Sequence, residues 1–93
     1  MNRRRPREEP SLDERRALKE AILSGESTMG KSIRALRKQI GLTQPQFAEL
    51  VGVYPRVLQE VENDKGNPTT ETLNKVLNKF GFEIGIVQKR SRT

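Results

Sequence analysis

The feature that most constrains this 93-residue chain is the run TQPQFAELVGVYPRVLQEVEN, Thr43 to Asn63. It holds two helix starts with a glycine between them. Thr43 followed three residues later by Gln46 fits a capping box, in which each side chain satisfies the other's free backbone N–H. Phe47, Ala48, Leu50 and Val51 then recur at helical spacing. Gly52 interrupts the pattern and Val53 follows as a buried-type residue. Pro55 restarts the pattern in a first helical turn, where a missing amide donor costs nothing. Leu58 and Val61, three apart, are expected to face inward, with Tyr54, Arg56, Gln59 and Glu60 outward.

Two short helices about a tight glycine-centred turn form a helix-turn-helix, whose second helix enters the DNA major groove. The surrounding sequence, Gly30 to Gly81, resembles the Xre/Cro-type helix-turn-helix family. The resemblance is carried by GLTQ at 41–44, by FAELVGV at 47–53, and by EN at 62–63 followed by GNP at 66–68 and a capped helix. With FEIGIVQ appended, the chain is most similar to the HipB-type antitoxin subgroup. That resemblance implies an all-α bundle of about four to five helices, operator binding with repression of its own operon, and a HipA-like kinase toxin as partner. It also implies that Arg37 pairs with Glu62 as a structural lock between the first domain helix and the helix-turn-helix. Gln44 matches the family glutamine that touches a backbone phosphate.

Composition agrees with an anionic partner. Lys and Arg total 18 against 12 acids, a formal charge of +6, and such a balance favours nucleic acid. Hydrophobic content of 32% with four aromatics in all (Tyr 1, Phe 3) makes a thin core that oligomerisation would support. Cysteine and histidine are absent, which removes disulfides, thiolate metal sites and the commonest general base. No catalytic residues, metal or cofactor are expected. No apolar run reaches the roughly 18 residues a membrane span needs, and MNRRRPREEP lacks the apolar segment of a secretory signal. A cytoplasmic protein with no membrane partner is expected.

In chain order, residues 1–10 read as a basic flexible arm whose arginines suit phosphate or a minor groove. Ser11 and Glu14 form a second capping box for a helix over 12–23, within an N-terminal extension of 11–25 lying outside the resembling domain. It is expected to pack on the domain, a dimer mate or the toxin. GESTMGKS at 25–32 satisfies the spacing of a phosphate-binding P-loop, but no buried strand precedes it and no strand–helix repeats follow. Ser27 or Thr28 is expected instead to cap a helix over 29–40, its inner face Ile33, Leu36 and Ile40, and its solvated face Lys31, Arg34 and Lys38. The binding domain spans 28–81, ending in a Thr69-capped helix over 70–80 with Leu73, Val76, Leu77 and Phe80 inward.

Residues 82–88 alternate, with Phe82, Ile84 and Ile86 on one side, which predicts a β-strand. A lone strand leaves its backbone groups unpaired, so it is expected to pair antiparallel with a second copy, closing a two-fold homodimer. Residues 89–93 form a basic tail. For DNA contacts, Gln44 and Lys65 are assigned to phosphate, and Tyr54, Arg56, Gln59 and Glu60 to bases. Guanidinium suits guanine, an amide suits adenine, and a carboxylate accepts from a cytosine amine. A palindromic operator read by two copies is implied. The alternatives are a stand-alone regulator, or an interaction module that neutralises a partner without strong DNA binding.

Overall fold

The computed structural model describes residues 9–88. Its five helices are α1 (Leu12–Leu23), α2 (Met29–Gln39), α3 (Gln44–Val51), α4 (Pro55–Glu62) and α5 (Thr70–Leu77), with a 3₁₀ turn over Asn78–Phe80. Four of the five begin on a hydroxyl cap: Ser11, Thr28, Thr43 and Thr69 each accept from the backbone N–H three residues on. Ser11 with Glu14, and Thr43 with Gln46, complete reciprocal boxes. Tyr54 precedes α4 without a side-chain cap; Pro55 behind it needs no acceptor, so one orphan donor is absent by chemistry.

The core is one cluster drawn from α2 to α5: Ile33, Phe47, Ala48, Leu58, Val61, Val76 and Leu77. Each large apolar side chain sealed there stabilises the fold by about 1.5–3 kcal/mol relative to exposure. The Phe47 and Phe80 rings lie 5.7 Å apart, tilted at 36°, and tie the 3₁₀ turn to α3. Gly52, at φ +81, turns the chain between α3 and α4, and its N–H and that of Val53 both return to the Ala48 carbonyl. Leu50, grouped by spacing with the inner face of α3, is half exposed.

Helix α1 lies on this bundle without burying a side chain of its own. Leu18 and Ile22 are half-buried, while Leu12 and Leu23 are 65% and 71% exposed. Its polar ties are Gln39 Nε2 donating to the Glu14 carbonyl at 3.0 Å and the Lys19 ammonium 6.0 Å above the Phe82 ring. The Gly-Lys-Ser run falls in the first turn of α2. A Cβ on Gly30 would stand 2.5 Å from the Val61 carbonyl oxygen and 2.6 Å from that of Glu62. The missing side chain therefore lets α2 and α4 cross closely, and no phosphate need be invoked.

Two expectations about the tail are corrected. No strand forms among the described residues, and 82–88 run without regular structure. Phe82, Ile84 and Ile86 do not share one free face: the first two pack against the core of their own chain, and Ile86 alone is fully exposed. The Phe82 N–H donates to the Leu77 carbonyl, and the Ile84 N–H donates to Asn74 Oδ1 at 2.8 Å. Two amides meant for a partner strand are thus satisfied by α5, and the two apolar side chains follow them inward. The arm over 1–8 and the tail over 89–93 lie outside the described residues. Among those described, no helix is long and apolar enough to cross a membrane.

Candidate nucleic-acid interface

The outer face of α4 is set by what its inner face buries. Leu58 is wholly enclosed and Val61 nearly so. Helical spacing then turns Arg56 and Gln59 to solvent, beside Tyr54, which is 79% exposed. Glu60 differs from its neighbours. It is half-buried, and its Oε1 would lie 2.7 Å from a Cβ on Gly66, so the carboxylate folds back over the following turn. Lys65, exposed in that turn, donates its backbone N–H to the Glu60 carbonyl at 2.8 Å. Tyr54, Arg56 and Gln59 therefore form one open surface, with Lys65 beyond its end and Glu60 turned aside.

The helix is held at its C-terminal end by Glu62. Arg37 grips this carboxylate in bidentate fashion, Nε to Oε2 at 2.7 Å and Nη2 to Oε1 at 2.9 Å, and its Nη1 reaches the Leu42 carbonyl at 2.9 Å. Gln44 Nε2 donates to Oε1 at 2.9 Å, and Arg34 Nε stands 3.6 Å from the same oxygen. One buried carboxylate thus binds α2, α3 and α4 together. Burial by itself would raise the Glu62 pKa. The hydrogen bonds from Arg37 and Gln44 and the charges of Arg37 and Arg34 outweigh it and hold the carboxyl below its ordinary value.

Gln44 accordingly has a structural duty as well as a position at the start of α3. One amide hydrogen goes to Glu62, which leaves the second for an anion. Of the first three helical positions, Pro45 has no N–H and that of Gln46 is given to Thr43, so the backbone N–H of Gln44 is the donor that remains there.

A second fastening was not legible from spacing. Asp64, at φ +58, accepts from Thr28 Oγ1 at 2.7 Å and from the Gly30 N–H at 2.8 Å. These hydrogen bonds, with smaller help from Lys31 and Arg34, lower its pKa. Arg34, assigned to a solvated face, donates to Asn63 Oδ1 at 3.0 Å. The one available signal was Gly30 itself: a glycine in a first helical turn costs stability unless another backbone comes close. The C-terminal end of α4 is therefore moored to α2 twice, through Glu62 in its last turn and through Asp64 just beyond it.

Comparison with known proteins bears on this surface. A family model described as Helix-turn-helix matches residues 33–87. The chain is similar to the immunity repressor protein of Bacillus phage phi105, at 35% identity over 60 residues, covering 64% of this chain and 42% of the relative. It is similar to the HTH-type transcriptional regulator PuuR of Escherichia coli, at 36% over 55 residues, 59% of this chain and 30% of the relative. It is also similar to the antitoxin PezA of Streptococcus pneumoniae, at 38% over 52 residues, 56% and 33% of the two chains. The chain spans less than half the length of each of these three relatives. No solved structure matches it.

Proposed function

Since the chain belongs to the helix-turn-helix family, we propose that it is a sequence-specific DNA-binding repressor that presents α4 to the major groove. The observation that carries this reading is the division of α4, with Leu58 and Val61 locked inward and Tyr54, Arg56 and Gln59 displayed outward. Arg56 is assigned to guanine and Gln59 to adenine; Tyr54 takes a thymine methyl or a phosphate. Gln44 and Lys65 take phosphates on either side of the groove, fixing register and carrying no sequence information. Glu60 reads a base only if it leaves Gly66, so it ranks last among the four.

Two or three base contacts, each worth roughly 1–3 kcal/mol of discrimination, define a short half-site. We therefore infer a homodimer on a palindromic operator, its half-sites about one helical turn apart. Ile86 and Val87, exposed on an unstructured segment, are its candidate contact. The relatives named as a repressor, a regulator and an antitoxin support control of transcription first. The antitoxin role, with a HipA-like kinase as partner, is the finer proposal. The exposed Leu12 and Leu23 of α1 favour a protein partner over a stand-alone regulator.

Titration of the DNA upstream of the protein's own gene, against a scrambled duplex of equal length, tests the reading. Preference for the upstream duplex is expected, with log affinity falling linearly in log salt at a slope of about −0.9 per contacted phosphate. Equal, salt-sensitive binding to both duplexes would overturn it.

A further inference from the structure

Between α1 and the rest of the bundle lies an open cleft of about 580 Å³, on elements other than the α4 surface. That volume lies within the range of pockets that hold small molecules. Its floor is apolar: Leu36 and Ile40 of α2, Phe80 of the 3₁₀ turn, and Pro10 from the segment before α1. Pro10 and Leu36 are buried, and Ile40 and Phe80 half-buried. The rim is charged and unbalanced. Glu9 is the one carboxylate among the described lining residues, and Arg15 already holds it at 3.0 Å. Lys19 and Lys79 stand on the same rim without a second acid among the lining residues.

We propose that this cleft is a binding site for a small amphipathic monoanion, an aliphatic or aromatic carboxylate. Its apolar body would lie on Leu36, Ile40 and Phe80, and its carboxylate between Lys19 and Lys79. Three features select this class. The floor is apolar, built from Leu36, Ile40, Phe80 and Pro10, and one N–H of the Gln39 amide beside it is already donated to the Glu14 carbonyl. The net rim charge is positive, which rejects amines and favours a single anionic head. Long lysine side chains can follow that head while their stems cover the apolar body. Lys19 also stands over the Phe82 ring, so a bound carboxylate competes with that ring for the ammonium and reports its arrival at the start of the C-terminal segment.

The test is an amide-resolved NMR titration of the full chain with octanoate, 1-octanol and octyltrimethylammonium in parallel. Octanoate is expected to saturate at one site, moving the amides of Lys19, Gln39, Lys79, Gly81 and Phe82 while those of Arg56 and Gln59 stay still. Octanol is expected to bind more weakly at the same place, and octyltrimethylammonium not at all. Charge reversal in the Lys19→Glu/Lys79→Glu variant should weaken octanoate by about tenfold, as two part-exposed ion pairs imply, and leave octanol within about twofold. The milder Lys19→Gln/Lys79→Gln variant, with an unchanged amide spectrum, should fall between. Equal binding of the cationic and anionic probes, shifts spread over the whole surface, or octanoate affinity unmoved in both variants would each overturn the proposal. None of these results depends on whether the chain binds DNA.

Discussion

At the scale of single residues, exposure separates the side chains proposed to read bases from those that hold the fold. Arg56 is exposed on α4, so Arg56→Ala should leave the melting temperature unchanged. It should cost roughly 1–3 kcal/mol of operator affinity and relax preference at one base pair, measured by fluorescence anisotropy on a panel of single-substituted duplexes. Gly30 belongs to the other group. In Gly30→Ala the new methyl meets the carbonyl oxygens of Val61 and Glu62, neither of which can rotate away. A loss of about 1–3 kcal/mol in urea unfolding is expected.

At the scale of elements, the helices were legible because their ends are written in side-chain chemistry. Ser11 with Glu14, Thr28, Thr43 with Gln46, and Thr69 each mark a start, and the structure begins its helices there. The C-terminal segment was not legible for a physical reason. Alternation states which side chains share a face, yet not what covers the face. Here α5 and the 3₁₀ turn cover it from within the same chain, drawing in Phe82 and Ile84. The inward turn of Glu60 and the mooring by Asp64 escaped detection because both depend on where a loop brings its backbone. This reassignment changes the mutation that probes dimerisation. Ile84→Asp is expected to lower stability by burying an unpaired charge. Ile86→Asp should leave unfolding unaltered and convert a dimer to a monomer by light scattering; an unaltered dimer would place the contact elsewhere.

At the scale of the whole molecule, acid should loosen the bundle before it affects isolated helices. The Glu62 pKa lies below its ordinary value of 4.5 in the folded chain. Its contribution is therefore fully present above that value and is lost as pH falls through the lower, folded one. Thermal unfolding between pH 7 and pH 3 should show a plateau and then a decline on the acid side. Glu62→Gln should start lower at pH 7, because Arg37 is left buried without its counter-charge at a cost of about 3–5 kcal/mol. Its acid limb should be flatter. Asp64 adds to the same decline with the same sign.

The fastening of Asp64 to Thr28 and Gly30 has a consequence for inheritance as well as for mechanics. If α4 reads an operator as proposed, a lineage that changes that operator can redraw Tyr54, Arg56 and Gln59 freely, because none of them lies in the buried core. The pose from which those letters are read is decided at α2, by residues a search for altered recognition would pass over. Drift at Thr28 would then blur every position of the half-site at once, where drift at Arg56 rewrites only one.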